Sequence, residues 1–311
     1  MKIVFMGTPD FAVPALKRLA TSGKHDVVGV VCQPDKPVGR KQILTPPAVK
    51  ILALELGLDV FQPQSLKTED SLKLIQSLDP EIIVVAAYGK ILPESILLLP
   101  KHGCICLHGS LLPKYRGAAP IQRAVIDGEK ITGITVMQMD KGIDTGDIIS
   151  TSEVEIGEAE TAGELFDRLA DLSAEIILPA LDAIENGTAT RTPQNDELSS
   201  YAAMLSKSEG MIDWSKGSDV VFNHIRGMNP WPVAYTVLGE KTLKVFSAEK
   251  AGSCDGAPGE IVDTVGGITV ACGDGSGLIL KEVQLEGSRR MTAEELLRGH
   301  RTEKGTVLKG I

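Results

Sequence analysis

Short runs of uninterrupted apolar residues restrict the fold of this chain more than any other feature. Residues 82–87 contain no charged or amide side chain, and residues 2–6 and 26–32 are apolar after their first positions. A strand that is apolar on both faces has to be covered on both faces, which is typical of parallel sheets flanked by helices. Amphipathic segments that end near Ser22 and span residues 66–78 alternate with these strands. We therefore predict an α/β fold with a Rossmann-like, doubly wound, mostly parallel sheet.

The start of the chain does not favour a nicotinamide cofactor. The first predicted strand is followed by Gly7-Thr8-Pro9-Asp10. This turn lacks the G-x-G-x-x-G spacing that lets the backbone approach a pyrophosphate. The Rossmann-like fold is therefore expected without a bound dinucleotide.

The second half of the chain changes character at a polar segment. Residues 190–206 show no sustained helical or strand period, which is typical of a linker between domains. Beyond it, short apolar runs recur between glycine-rich turns at a spacing that indicates a small β-barrel. A chain of 311 residues is also large for one domain. We predict domains at 1–189 and 207–311, joined by a linker at 190–206.

Charge and cysteine usage limit the partners and the compartment. The formal net charge of −9 argues against nonspecific nucleic-acid binding by bulk charge, although residues 207–311 are close to neutral. The five cysteines are odd in number and scattered, and the opening residues form a strand rather than a signal peptide. No apolar run approaches the roughly 18 residues that span a bilayer. We expect a reduced, cytoplasmic protein with no membrane segment.

A buried strand that ends at a histidine marks the candidate site. Side chains alternate along a strand, so Cys104 and Cys106 share a face with His108. A second apolar run at 131–139 predicts a neighbouring strand, and the loop after it carries Asp144. Ligands in open α/β sheets bind at the carboxyl ends of strands, so His108 and Asp144 are a candidate acid–base pair. The remaining carboxylates of that loop are interpreted as solvated or turn-capping groups: Asp140 and Asp147.

The same residues allow a metal-binding interpretation. Cys104, Cys106, His108 and Asp144 are all ligand types that zinc accepts. However, C-x-C-x-H on a single strand is not a usual zinc spacing. We therefore predict no metal.

A polar loop at residues 33–45 leaves two interpretations open. It is rich in proline, glycine and basic residues, among them Lys36, Arg40 and Lys41. It can be an ordinary solvated surface loop. It can also be a mobile basic arm, because guanidinium and ammonium groups form charge-assisted hydrogen bonds with phosphates.

Several long motifs together resemble the folate-dependent formyltransferases. The central ones are HGSLLPKYRGAAPIQ and MDKGIDTGD, which contain His108 and Asp144. The resemblance covers nearly the whole chain in order: MKIVFMGTPDFAVPAL, QPDKPVGR, AAYGKILP, the two central motifs, SKSEGMIDW and GMNPWP. It implies transfer of formyl from 10-formyltetrahydrofolate to the amine of initiator methionyl-tRNA. It also implies that the C-terminal barrel is OB-like and holds tRNA, and we expect a monomer.

The resemblance assigns roles to individual residues. It implies that His108 donates to the formyl oxygen or moves the amine proton, and that Asp144 tunes the histidine or orders a water. It also implies that the loop around Lys36, Arg40 and Lys41 contacts the acceptor stem. Two loops would line the folate pocket, through Tyr88, Ile91, Leu92, Ser110, Leu111, Leu112 and Pro113.

Cys106 departs from the family pattern, which has asparagine two residues before the histidine. We count Cys106 with the catalytic residues, although a thiol is a weaker hydrogen-bond donor than an amide. One alternative is a catalytically impaired protein that binds folate or tRNA. A second is formylation of a small amine such as an amino sugar nucleotide. A third is formyl hydrolysis, with Cys106 as nucleophile beside His108.

Overall fold

The chain folds into two compact units, each built from several segments of the sequence. A computed structural model describes residues 1–39, 41–300 and 302–311, so Arg40 lies outside the described residues. The first unit comprises residues 1–117, 132–154 and 166–202. The second comprises residues 118–131, 155–165 and 203–311.

The first part of the chain alternates strands with helices, as the apolar pattern predicts. The helices are α1 Val13–Thr21, α2 Ala48–Glu55, α3 Glu69–Ser77, α4 Glu94–Leu97, α5 Pro120–Ile126 and α6 Ala162–Glu185. The strands are β1 Lys2–Gly7, β2 Asp26–Val31, β3 Lys36–Val38, β4 Ile43–Thr45, β5 Val60–Phe61, β6 Ile82–Ala86, β7 Cys104–His108, β8 Arg116–Gly117, β9 Ile131–Gln138 and β10 Ile148–Glu155.

A seven-stranded sheet forms the centre of the first unit, in the order β10-β9-β7-β6-β1-β2-β5. The five strands from β7 to β5 pair in parallel. All five residues of β6 are buried, because a central parallel strand is covered on both faces. The predicted Rossmann-like, mostly parallel architecture is confirmed.

The direction of β9 departs from the prediction. It pairs antiparallel to β7, with Ile105 opposite Gln138 and His108 opposite Thr135. The end of β9 therefore does not lie at the same edge of the sheet as His108. The expectation that strand ends meet at one edge does not explain why Asp144 lies near His108. The loop after β9 instead folds back tightly. Gln138 donates its backbone N–H to the Asp147 carbonyl at 2.8 Å.

The predicted polar loop at residues 33–45 contains a short hairpin. Strand β3 pairs antiparallel with β4, from Lys36 opposite Thr45 to Val38 opposite Ile43. All six strand residues are exposed. The hairpin was missed because its strands are three residues long and have no buried face to impose an alternating pattern.

The second unit is built around an antiparallel sheet. Besides α5, it contains these described elements: α7 Ser218–Gly227, β12 Ala234–Leu238, β13 Lys241–Ser253, β14 Ile261–Asp263, β15 Ile268–Ala271, β16 Ser276–Leu285, β17 Met291–Thr292 and α8 Ala293–Gly299. Strand β11 Tyr201–Ala202, just before them, belongs to the first unit. The order is β12-β13-β16-β15-β14, with β17 added to β16. The residues near the C-terminus contact both edges of the sheet. Lys309 bridges to Val237 of β12, and Val307 bridges to Glu260 beside β14. This curled half-barrel confirms the predicted barrel-like domain.

Gly133 lets β9 pack against its neighbours, and we predict that Gly133→Ala strongly destabilises the protein. A Cβ atom there would lie 2.0 Å from the Ser152 carbonyl oxygen and 2.7 Å from Cδ2 of Leu111. Overpacking of this kind costs about 1–3 kcal/mol, and more where backbone is the obstacle. Urea denaturation measures the effect. Gly299→Ala is the control, because no atom lies within 4 Å of a Cβ at that position. Equal denaturation midpoints for the two variants would contradict the packing argument.

Candidate active site

His108 stands at the end of β7 with both ring nitrogens facing oxygen atoms. Its side chain is 7% exposed. Nε2 lies 2.9 Å from the Tyr115 carbonyl oxygen, and Nδ1 lies 3.6 Å from Oδ2 of Asp144. A carbonyl oxygen only accepts hydrogen bonds, so Nε2 carries a hydrogen and donates it. Nδ1 is therefore the ring atom that can gain or lose a proton, and it faces a carboxylate.

Asp144 is held in place by its own backbone conformation and by Gly117. Its φ of 55° lies in the left-handed region, which is uncommon for a residue with a side chain and costs of order 1 kcal/mol or more. The Gly117 backbone N–H donates to Oδ2 of Asp144 at 2.7 Å. The carboxylate is thus aimed between Gly117 and His108. The predicted pairing of His108 with Asp144 is present in the structure.

Gln194 connects the loop of Asp144 to Arg116. Its side-chain amide donates to the backbone carbonyls of Asp144 at 2.8 Å and Gly146 at 2.7 Å. Its side-chain oxygen accepts from Nε of Arg116 at 3.0 Å and from NH2 at 2.9 Å. Sequence reasoning missed Gln194, because a glutamine in a polar segment without periodicity is indistinguishable from a linker residue.

Asp140, a second carboxylate of this loop, has the predicted turn-capping role. Oδ1 of Asp140 accepts from the Gly142 backbone N–H at 2.9 Å and from Oγ1 of Thr145 at 2.7 Å. This local network satisfies the carboxylate within its own turn. The prediction for Asp140 is confirmed.

Cys106 lies on β7 two residues before His108, and its thiol is poorly suited to be a nucleophile. It is partly buried and pairs with Val85 of β6 and Met137 of β9. Burial raises the pKa of the Cys106 thiol well above its ordinary value, and the charge of Asp144 raises it further. The thiolate is the reactive form of cysteine. The structure therefore gives no support to a thioformyl intermediate at neutral pH.

The loop after β6 combines a buried ring with an exposed aliphatic side chain. Tyr88 is 1% exposed, and its carbonyl accepts from Oγ1 of Thr8 at 3.0 Å and Nε2 of Gln33 at 3.2 Å. Ile91 is 70% exposed, whereas Leu92 is 3% exposed. Of these three predicted folate-binding residues, only Ile91 has an exposed side chain.

The loop after β7 is shaped by internal hydrogen bonds. The Ser110 hydroxyl donates to the Lys114 carbonyl at 2.7 Å. Oγ1 of Thr135 donates to the Ser110 carbonyl at 2.7 Å and accepts from the Leu112 backbone N–H at 3.1 Å. The Ser110 side chain and the Leu112 amide are thus engaged within the protein. The remaining predicted folate-binding positions in this loop are partly exposed: Leu111 and Pro113.

The predicted basic residues lie on a different part of the sheet edge. Lys36 and Lys41 are exposed on the β3–β4 hairpin, which follows β2 and is separated from β7 by β1 and β6 in the sheet. Lys50 donates to both carboxylate oxygens of Asp35 at 2.9 Å, directly before the hairpin. This ion pair fixes the start of the hairpin on α2.

The described residues provide neither a metal-ligand cluster nor a membrane-spanning helix. Within residues 1–39, 41–300 and 302–311, no three His, Cys, Asp or Glu side chains are placed to hold a metal ion. In the same part of the chain, no helix combines the length and apolar character needed to cross a membrane.

Both halves of the chain match formyl transferases. The family model for formyl transferase matches residues 1–181, and that for the formyl transferase C-terminal domain matches residues 204–301. A methionyl-tRNA formyltransferase of Geobacter metallireducens is 50% identical, covering 99% of this chain and 98% of the relative. One from Acetivibrio thermocellus is 48% identical and covers 99% of each chain. The chain belongs to the methionyl-tRNA formyltransferase family of formyl transferases.

Solved structures share the fold at low sequence identity. An N-formyltransferase from Helicobacter canadensis, in complex with folinic acid and dTDP-3-aminofucose, superposes with a TM-score of 0.66 and 18% identity. The match covers 90% of this chain and 98% of that one. HypX from Aquifex aeolicus, in complex with tetrahydrofolic acid, gives a TM-score of 0.63 at 16% identity. The match covers 96% of this chain but only 47% of HypX, so this chain spans about half of HypX.

The buried ring of Tyr88 generates a prediction about stability and folate binding. Its hydroxyl has no hydrogen-bond partner among the described residues, and burial raises the pKa of Tyr88 to about 12. Leaving a buried polar group unpaired costs about 1–3 kcal/mol, so Tyr88→Phe should raise the urea midpoint near neutral pH. Folate affinity, measured by fluorescence titration, should not change. A loss of folate affinity would show that the hydroxyl meets the ligand.

The same variant has a defined pH dependence. The pKa of Tyr88 is higher in the folded chain than the ordinary value of 10.0. The unfolded chain therefore ionises first, and the stability that this difference contributes is lost as the pH rises from about 10 through about 12. The urea midpoint of the parent protein should fall more steeply than that of Tyr88→Phe as the pH approaches about 10.5. Parallel curves would contradict the burial of the ring.

Proposed function

We propose that this chain transfers the formyl group of 10-formyltetrahydrofolate to the α-amino group of methionine on initiator methionyl-tRNA, for translation initiation. The observation that carries the proposal is the His108–Asp144 pair, within a chain that is 50% identical over nearly its whole length to a methionyl-tRNA formyltransferase. The same full-length similarity does not favour formylation of a small amine. It also does not favour a protein that only binds folate or tRNA.

Removal of the amine proton falls to His108. An α-amino group has a pKa of about 7.7–8, so much of it is protonated near neutral pH and a base is useful. Nε2 of His108 is committed to the Tyr115 carbonyl, so Nδ1 takes the proton. Asp144 stands 3.6 Å from Nδ1 and stabilises the resulting positive charge. Asp144 therefore supports the histidine rather than reacting itself.

Cys106 occupies the position from which the family asparagine donates to the formyl oxygen. A protonated thiol is a weak hydrogen-bond donor. Its raised pKa keeps the proton on sulfur, so Cys106 can donate but only weakly. Weak stabilisation of the developing oxyanion lowers the rate, since such donors act mainly in the transition state. A slower formyltransferase is the expected consequence.

The folate co-substrate supplies the formyl group, and two loops fit it. They follow β6 and β7, which are parallel neighbours, so both loops begin at the same edge of the sheet. Exposed Ile91 and partly exposed Leu111 offer apolar surface, and Tyr88 precedes Ile91 in the loop after β6. Gly89, with a φ of 82°, has no atom within 4 Å of a Cβ position and leaves room. Apolar surface with a few backbone polar groups suits a flat heterocycle.

The tRNA is assigned to the hairpin and to the C-terminal domain. Lys36 and Lys41 stand exposed on the hairpin, where their ammonium groups can contact phosphates, and Arg40 belongs to the same proposal. We assign folate binding and catalysis to residues 1–189, the linker to 190–206 and tRNA binding to 207–311. We further propose that the protein acts as a monomer in the cytoplasm, where its five free cysteines stay reduced.

Cys106→Asn should increase the rate of formylation. Asparagine restores a strong donor, and one donor of this kind typically contributes about 10²–10³ in rate. The gain should appear in the single-turnover rate of initiator methionyl-tRNA formylation, followed on acid gels with 10-formyltetrahydrofolate. Cys106→Ala is the matched control, and His108→Ala in the Asn background should remove most of the gain. An Asn variant no faster than Ala would refute the donor role, and no formylation by any variant would refute the proposed function.

Lys36→Glu/Lys41→Glu should weaken tRNA binding and flatten its salt dependence. Each lost phosphate contact should reduce the slope of log K against log salt by about 0.7–0.9. Filter binding of methionyl-tRNA at several salt concentrations measures the slope, and folate affinity should not change. Lys67→Glu/Lys101→Glu is the control, because it changes the net charge equally at two other exposed positions. Equal slopes for the two double variants would exclude the hairpin as a tRNA contact.

A further inference from the structure

We propose that Gln194 is a positioning residue, which sets the orientation of Asp144 toward His108. The inference rests on the proposed function, because it concerns the same His108–Asp144 pair. Gln194 lies in the segment that sequence reasoning interprets as a linker. In the structure, however, all polar atoms of its side chain are engaged around the pair.

Two loops hold the partners of His108, and Gln194 joins them. The first loop supplies the Tyr115 carbonyl, which accepts from Nε2 of His108, and the Gly117 N–H, which donates to Asp144. The second loop carries Asp144 itself. Arg116 lies between Tyr115 and Gly117, and its guanidinium donates to the side-chain oxygen of Gln194. The Gln194 amide thus links the two loops, in addition to the direct bond from the Gly117 amide to Asp144.

The donor half of the Gln194 amide acts on the backbone around Asp144. It donates to the carbonyls on both sides of residue 145, at Asp144 and Gly146. Asp144 has a left-handed backbone, a conformation that persists only where surrounding contacts hold it. A change in this backbone rotates the carboxylate away from Nδ1 of His108. Gln194 therefore acts through Asp144 and needs no contact with substrate.

The amide also directs the charge of Arg116. The guanidinium NH2 contacts the Gln194 oxygen at 2.9 Å and Oδ1 of Asp196 at 2.7 Å. Arg116 is thereby held by residues 194 and 196. The Asp144 carboxylate remains available to His108, which it can stabilise as a cation.

The test compares Gln194→Met with Gln194→Glu. Methionine keeps the length and loses all four hydrogen bonds. Glutamate keeps an acceptor for Arg116 but places a carboxylate against two carbonyl oxygens. If Gln194 positions Asp144, both variants should lose about 10–100-fold in kcat, since small misplacements at a site cost up to about 10² in rate. The KM for both substrates should change less than about threefold. If Gln194 only anchors the segment, Glu should retain activity, because its bond to Arg116 is strengthened by charge; that result would overturn the proposal.

A double-mutant cycle with Asp144→Asn separates positioning from general structural support. A residue that acts through Asp144 should lose most of its effect once Asp144 is replaced, so Gln194→Met should then cost less than about threefold. Multiplicative losses in the double variant would instead show an independent structural role. Gln76→Met and Gln76→Glu, at an exposed position of α3, are the matched controls and should keep the parent kcat.

A second measurement does not depend on activity. The Gly117 amide donates to Asp144, so its hydrogen exchange reports where the carboxylate stands. Gln194→Met should accelerate exchange of this amide about tenfold, as expected for loss of a local hydrogen-bonded arrangement, while Gln76→Met should not. Unchanged exchange would overturn the positioning role even if the chain formylates another amine. If the parent protein fails to formylate methionyl-tRNA but Gln194→Met still accelerates exchange of the Gly117 amide, only the proposed function is refuted.

Discussion

The hydrogen bond from the Gly117 amide to the Asp144 carboxylate is the contact on which the site depends. It ties a loop after β9 to a loop after β7, although these strands run in opposite directions. Strand β9 by itself does not bring its following loop next to His108, because it ends opposite Ile105 at the start of β7. The ring is constrained as strongly on its other side, where the Tyr115 carbonyl leaves only one nitrogen free to exchange a proton. The chemistry of the pair is therefore set by two loops and not by the strands.

Burial has opposite consequences for His108 and Cys106, which lie two residues apart on β7. It excludes water around His108, which strengthens the influence of Asp144. It also keeps the Cys106 thiol protonated, because a thiolate would lose its hydration and would face the same carboxylate. A site built to stabilise a cation on histidine is for this reason unfavourable to an anion on cysteine. A cysteine in this environment is thus a weak donor without being a nucleophile.

The sequence predicted features that depend on burial and missed features that depend on single polar contacts. The apolar run of β6 and the amphipathic helix at 66–78 were predicted because their patterns follow from which faces are covered. The pairing of His108 with Asp144 was also expected, but for an edge geometry that the antiparallel β9 does not have. Gln194 was missed, since its four hydrogen bonds join residues far apart in the chain. Assignments of individual residues to folate or tRNA remain predictions.

The interleaving of the two compact units limits how this protein can exchange parts with its relatives. Residues 118–131 and 155–165 belong to the second unit, although they lie within the first half of the chain. In that unit Gly227 of α7 packs so closely on Ile126 that even a Cβ would meet it at 2.4 Å. A recombinant with one crossover near residue 203 would therefore join α5 from one parent to α7 from another. Recombination that preserves this fit has to exchange all three segments of the unit together, which favours inheritance of the chain as a whole.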